Sequence, residues 1–318
     1  MIYSLTPSLQ TYAWGGTHYI AQLLKQPTTN QPKAELWYGD HPQAPATLHT
    51  PQGDYPLNQW LKNNPQALSK ASRQHFGNRL PYLLKILDVA RPLSIQLHPN
   101  KTQAQQGYIK EQQQNLPDTK RNYPDNNHKP ESMIALSDFW LLHGFAPLSQ
   151  IQQTLHTRPS LHSIAQSLTQ YGLATTYQNI LYADQSTLAQ WLYPLLDQPP
   201  LQQRSTNPDY WLHHTLNTMN IDPDHLDAGL LCFYLFNIVQ LNPEQGIYQR
   251  AQLPHAYLSG QNVEIMAASN NVLRAGLTPK HIDIDELLRI LDPHPHHPPT
   301  FSLPPTTTKP PHTTTQPH

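Results

Sequence analysis

Seven residues, widely spaced along the chain, could do chemistry together. Gln96 and His98 stand two apart in "RPLSIQLHPNK", Glu131 follows the proline of "NNHKPE", and His255 follows the proline of "LPHAYLSG". On a strand, residues two apart point the same way, so Gln96 and His98 can reach one ion. Imidazole nitrogen with amide and carboxylate oxygen suits zinc or another borderline divalent cation. Arg274 and Lys280 flank "AGLTP", and two cations around a tight turn suit a phosphate. Glu264, in the apolar "NVEIMAA", is either an ion-paired strand residue or an acid–base group with a raised pKa.

Each signal has a plain structural alternative when read singly. A lone strand histidine can be a hydrogen-bonded core residue. A carboxylate such as Glu131 can sit solvated at a strand end, and surface basic residues need no anion. The elements that would bring these residues together therefore decide the matter.

The run 93–98 alternates aliphatic Leu93, Ile95 and Leu97 with polar Ser94, Gln96 and His98. Its polar face lies either in water or inside a barrel. "AELWYGD" (34–40), "ATLHT" (46–50), "GIYQRA", "HAYLS" and "NVEIMAA" read as strands, and "SGQN" (259–262) as a turn between two of them. "LPYLLKILDVA" (80–90) has the continuous apolar character of a strand buried on both faces. "ESMIALSDFWLLHGF" (131–145) and "LCFYLFNIVQLNP" (231–243) also have strand character. Helices are predicted at 57–70, at 101–116 (polar and exposed) and at 283–291. From 147 to about 225, apolar residues recur every three or four positions, which predicts a helical insertion. From 293 to 318 a Pro/His/Thr-rich run cannot offset its ordering entropy and is predicted to be disordered.

Composition narrows the function classes. The chain has 318 residues with a formal net charge of -1 and a pI near 7.0, so no global basic field attracts nucleic acid or an anionic membrane. The single cysteine, Cys232, leaves no internal disulfide. No basic n-region opens the sequence, and no apolar run reaches membrane-helix length. The expectation is a soluble, cytoplasmic, monomeric protein with a small-molecule ligand, no nucleic-acid partner and no membrane partner.

Taken together, "YAWGG" (12–16), "AELWYGDHPQAPA", "LPYLLKILDVARPLSIQLHPNK", "NNHKPE", "LNPEQGIYQRAQLPHAYLSG" and "VEIMAASNNVLRAGLTPKHIDIDEL" resemble type I phosphomannose isomerase, a zinc-dependent family of cupins. The resemblance runs from about residue 3 to 291. It implies a mainly β fold with an α-helical insertion, a bicupin (double-stranded β-helix, or jelly roll). An N-terminal cupin-type region would occupy 1–146, a helical domain 147–228 and a second cupin region 229–292. It implies one zinc ion per chain on Gln96, His98, Glu131 and His255. Arg274 matches the active-site arginine. Lys85, Ser94 and Lys280 match sugar-phosphate positions, and Glu264, Tyr257, His128 and Lys129 match the lining of the catalytic cavity. The implied reaction is interconversion of mannose 6-phosphate and fructose 6-phosphate through a cis-enediol, with Glu264 and His128 ahead of Lys129 as general-base candidates.

Two departures stand out. Asn270 occupies a position where many members carry Asp, and an amide cannot act as a base. Family chains also continue past "IDIDELL" with further strands, so the abrupt change to Pro/His/Thr repeats reads as a truncated C-terminal part. The rival expectations are a cupin that binds metal or sugar phosphate without turnover, and an isomerase with another hexose preference.

Overall fold

The computed structural model describes residues 2–304 except 115 and 223. The chain opens with strands β1 (Ser4–Thr6) and β2 (Ser8–Gln10), helix α1 (Tyr19–Leu23), and strands β3 (Glu35–Tyr38), β4 (Thr47–Thr50) and β5 (Gly53–Pro56). Helices α2 (Leu57–Asn63) and α3 (Lys70–Phe76) precede β6 (Tyr82–Val89) and β7 (Ile95–Leu97). Helix α4 (Lys101–Gln114) then leads by a long loop to β8 (Glu131–Ala135) and β9 (Phe139–Phe145). Four helices follow in succession: α5 (Leu148–His156), α6 (His162–Leu181), α7 (Gln185–Leu196) and α8 (Pro208–Met219). The described chain ends with β10 (Phe236–Leu241), β11 (Gln245–Gln249), β12 (His255–Ala267), β13 (Leu273–Gly276), α9 (Ile284–Ile290) and β14 (Thr300–Ser302).

The sheet is mixed from both ends of the sequence. Its main path runs β14-β11-β8-β12-β6-β3-β2, with β9 and β10 joined through one end of β12 and β7 and β13 through the same end. β12 is the organising strand. Its second half pairs with β6 and β8, whereas its first half pairs with β7 and β9. The strands of 229–292 therefore share one hydrogen-bonded sheet system with β2, β3 and β6–β9 of the first β region, whereas β1, β4 and β5 form a separate three-stranded sheet.

The expected turn at 259–262 is absent; β12 runs straight through it. Gly260 instead takes φ +120, and a Cβ there would lie 2.7 Å from the carbonyl oxygen of Asp138. The local chemistry that suggests a turn here makes the corner at which one strand passes between two sheets.

A second difference lies at 228–234. A 3-10 helix, started by Asp227 accepting from Gly229 N, occupies the first part of the apolar run, and only Phe236–Leu241 is strand. All of its residues from Gly229 to Tyr234 are buried, so continuous hydrophobicity did not distinguish helix from strand. The run 131–145 is two strands, β8 and β9, each of which pairs with β12.

The helical region from α5 to α8 forms as the periodicity predicts. Asp184 caps α7 by accepting from Thr187 N, and Asn207 caps α8 with Pro208 in its first turn. Leu155, Leu168, Tyr177, Trp211 and Leu212 join one core with Ile95, Leu97 and Leu273 of the sheet. A second core of Leu87, Met133, Phe139, Ile247 and Tyr257 lies between the sheets. The aliphatic side of β7 thus faces the helices, and its polar side is left to line an interior.

The predicted disordered tail is corrected in its first part. Thr300–Ser302 pair with Gln245–Ile247 as an added edge strand, and His296 N donates to Phe145 O at 3.2 Å. A Pro-rich composition is compatible with such an edge, because one side of the strand needs no partner. Residues 305–318 of that tail lie outside the described residues. Among the described residues, no helix is long and apolar enough to cross a membrane.

Candidate metal centre and substrate cavity

The ladder dictates which side chains meet. β6 and β8 flank β12 in register Lys85–Glu264–Met133, and Trp37 lies opposite Lys85 on β3. On the other arm, Gln96 of β7 lies opposite both His255 and Arg274. Strand alternation turns these residues to one side. The corner in β12 brings the two rows face to face.

Between them lies a cavity of about 60 Å³ lined by Glu35, Lys85, Ser94, Gln96, Lys129, Glu131, His255, Tyr257 and Glu264. At its wall His98, Glu131 and His255, all buried, place their donor atoms within 4.8 Å of one another. His98 Nε2 is 3.3 Å from Glu131 Oε1, His255 Nε2 is 3.3 Å from Glu131 Oε2, and Lys129 Nζ is 3.2 Å from Oε1.

The proton arrangement explains why this cluster suits a cation. His98 Nδ1 meets the carbonyl oxygen of Asn271 at 2.8 Å, and His255 Nδ1 meets that of Leu253 at 3.1 Å. A carbonyl can only accept, so each Nδ1 carries the proton and each Nε2 of a neutral ring presents a lone pair to the Glu131 carboxylate. His98 Nε2 is buried without a hydrogen-bond partner. A buried acceptor facing other acceptors is costly until a cation lies between them. Two imidazole nitrogens and a carboxylate oxygen are a fitting set for zinc, with the Gln96 amide on the adjacent position opposite His255.

Electrostatics point the same way. Burial pushes the His98 ring down to about 4, aided by the Lys129 ammonium, so the ring is a neutral ligand at ordinary pH. Burial alone would raise Glu131, but Lys129, His98 and His255 together hold it well below the usual carboxylate range. The cavity lining holds three carboxylates (Glu35, Glu131, Glu264) against two ammoniums (Lys85, Lys129), an excess that a cation relieves.

Glu264 differs from Glu131. Burial, then repulsion from Glu131, raises its pKa, while Lys85 opposes the shift. Tyr257 Oη donates to its Oε1 at 2.7 Å, and Gln249 Nε2 donates to Tyr257 Oη at 2.9 Å. Lys85 Nζ lies 3.4 Å from Glu35 and 3.6 Å from Glu264. Matched to sugar phosphate by the resemblance, it is shared by two carboxylates and lies 5.0 Å from the Trp37 ring centroid.

The small cavity shares a wall with a larger one. Glu35, Leu93, Ser94 and Gln96 also line a second cavity of about 460 Å³ that holds Arg91, Arg274 and Lys280. Gly276, at φ +140, permits the turn between the last two, where a Cβ would lie 2.5 Å from Gly229 Cα. The Asp227 carboxylate fastens that turn through Gly229 N at 2.7 Å and Thr278 N at 3.1 Å. Burial lowers the Arg274 pKa, and among the described residues none of these three cations has a carboxylate partner. Unpaired cations lining a wet cavity suit an anionic ligand.

One expected residue lies apart. His128 is exposed and lines a separate cavity of about 630 Å³ with His41, Arg79, Lys101, Asp125 and Asn270. It does not line the cavity of Glu264, so the two base candidates are not neighbours there. Asn270 Oδ1 lies 3.2 Å from His41 Nε2 in that same cavity. The sequence reading overlooked Glu35 and Arg91. Glu35 had a usable signal, since it shares a strand face with Trp37 two residues on. Arg91, in irregular chain before β7, had none.

A family model for the type I phosphomannose isomerase catalytic domain matches residues 2–148. The mannose-6-phosphate isomerase of Salmonella typhimurium is 37% identical over 295 residues, 89% of this chain and 73% of that protein. The Homo sapiens mannose-6-phosphate isomerase is 31% identical over 318 residues, 91% of this chain and 73% of that protein. Among solved structures, a zinc-bound holo mannose 6-phosphate isomerase superposes with a TM-score of 0.82 at 36% identity, covering 92% of this chain and 75% of that one. A lysine-to-alanine variant of phosphomannose isomerase from Salmonella typhimurium gives a TM-score of 0.81 at 35% identity with the same coverage.

Proposed function

The chain belongs to the type I phosphomannose isomerase family, and we propose that it interconverts D-mannose 6-phosphate and D-fructose 6-phosphate with one zinc ion. In finer terms, the sheet system around β12 is read as the cupin barrel of a bicupin fold. The observation that carries the reading is a His98–Glu131–His255 cluster at a small cavity that shares Ser94 and Gln96 with a larger one holding unpaired Arg274 and Lys280. His98, Glu131 and His255, with Gln96 beside them, would hold the zinc ion, which would supply Lewis-acid polarisation of a carbonyl oxygen.

The remaining steps belong to side chains. Lys280 binds the phosphate in the outer cavity, and Arg91 adds positive charge across solvent. Ser94 and Gln96, common to both cavities, orient the sugar carbons at the boundary. Glu264 takes the proton from C2 of the open-chain aldose. The C–H electron pair becomes the C1–C2 double bond, and the charge moves to the C1 oxygen. Arg274 stabilises that developing charge. The hydroxyl proton on O2 passes to O1, and Glu264 returns its proton to C1, giving the ketose. A carboxyl raised toward neutrality suits this shuttle, because it must both accept and release a proton. Lys129, held at 3.2 Å by Glu131, fixes the ligand carboxylate rather than serving as the base.

A coupled assay tests the proposal. Purified protein should convert mannose 6-phosphate, lose turnover on chelation and regain it with zinc. Folded protein that shows no chelator-sensitive conversion would favour the non-catalytic reading, and greater turnover of another hexose phosphate would replace the substrate.

A further inference from the structure

The two histidines of the cluster are oriented by different means. His255 Nδ1 donates to Leu253 O, only two residues back along the same chain segment. His98 Nδ1 donates to Asn271 O, 173 residues away in sequence. A carbonyl so distant must itself be held in place.

The side chain of Asn271 provides that hold. Asn271 is 0% exposed, and both ends of its amide are engaged. Its Nδ2 donates to Asp125 O at 2.8 Å and Asn127 O at 2.7 Å, while its Oδ1 accepts from Asp125 N at 3.1 Å. The Asp125 carboxylate closes the clamp, accepting from Ser269 Oγ at 2.9 Å, Asn270 N at 2.7 Å and Asn127 N at 2.9 Å. The loop so clamped runs directly into Lys129 and Glu131. One buried amide thus ties the carbonyl that orients His98 to the loop that delivers Glu131.

We propose that Asn271 is a positioning residue for the metal centre, fixing the His98 ring through its main-chain carbonyl and the approach of Glu131 through its side chain. The inference rests on the zinc reading above. Removing the amide takes the partner from Asp125 O and Asp125 N–H, leaves Asn127 O with only Ser269 Oγ at 3.2 Å, and loosens the 269–271 turn. His98 then loses its fixed Nδ1 acceptor, and its Nε2 is no longer aimed at Glu131. Outer partners of this kind change metal affinity by roughly 10- to 100-fold.

The test titrates zinc-free protein with zinc and with cobalt(II) against a competing chelator. Wild type, Asn271→Ala and Asp209→Ala are compared. Asp209 is a matched control in the helical region, where it bonds Arg158 and Tyr234 on elements that carry no residue of the cluster. Asn271→Ala should bind both metals at least about ten-fold more weakly and show an altered cobalt visible spectrum. Asp209→Ala should lower the melting temperature with both metal readouts unchanged. Equal metal binding and identical spectra in wild type and Asn271→Ala would overturn the proposal, as would equal losses in both variants. If Asn271→Ala does not fold, Asp125→Asn opposes one amide donor to Asn270 N–H and should weaken metal binding a few-fold; no change there overturns the proposal equally. Failure of wild type to bind metal would instead strike the zinc reading.

Discussion

The inner and outer cavities share a wall yet manage charge in opposite ways. Inside, the charges are paired: Lys85 lies between Glu35 and Glu264, and Glu131 lies among Lys129, His98 and His255. Outside, Arg91, Arg274 and Lys280 have no carboxylate partners among the described residues. Burial accounts for the difference. An ion out of water must be compensated within the fold, whereas a cation at a wet cavity is solvated until an anion arrives. The inner cavity is therefore preset for protons and metal, and the outer is free to take charge from a ligand.

Breaking the inner set should have the largest effects. Glu131→Gln leaves Lys129 without its carboxylate and turns an anionic donor into a neutral amide, so metal affinity should fall by more than about 100-fold, beyond the range for outer partners. Isothermal titration with zinc checks this, and near-normal affinity would remove Glu131 from the ligand set. Glu264→Gln comes next. It keeps the shape and the metal but removes the base, so kcat should drop by about 10²- to 10⁴-fold. The pH profile gives the sign. Glu264 must be deprotonated to accept the C2 proton, so activity in the wild type should fail as pH drops through its raised pKa. The variant should lose that acidic limb, and a limb that persists would assign it to another group.

The same contrast explains what was legible in the sequence. Short motifs fix the identity and strand direction of Gln96, His98, Glu131 and His255, and the fold gathers His98, Glu131 and His255 into one cluster with Gln96 opposite His255. The 3.6-residue rhythm located the four helices from α5 to α8. Tertiary geometry was not so readable. "SGQN" carries turn residues, but the pull of two sheets on β12 makes it a corner in one strand. Apolar 228–234 folds as a 3-10 helix because burial alone does not choose a period. Asn271 carries no signal of its own, since its role depends on a carbonyl meeting a ring 173 residues away. Residues 293–304 looked unable to order, yet the free edge of β11 gives Thr300–Ser302 a partner.

The outer cavity should respond more gently and in graded fashion. Arg274, half-buried opposite Gln96 at the junction, is nearest in character to the inner set. Arg274→Ala should cost about 10²- to 10³-fold in kcat with metal content intact, as expected for a donor to developing negative charge. A change confined to KM would make it a phosphate ligand instead.

Lys280 and Arg91 are exposed, and their share should appear in substrate capture. Lys280→Ala should raise KM by roughly ten-fold, the loss of one charged contact worth about 1.4 kcal/mol, while kcat holds. Arg91→Ala should do least. Its charge acts across solvent, so KM should rise only about two- to three-fold at low salt. The same physics makes that effect removable. At about 1 M salt the screening length shrinks to about 3 Å, and Arg91→Ala should become indistinguishable from wild type, whereas Lys280→Ala should keep most of its deficit through direct contact. An Arg91→Ala penalty that survives high salt would show that the guanidinium touches the phosphate, and the boundary between preset and ligand-compensated charge would then run through Arg91 itself.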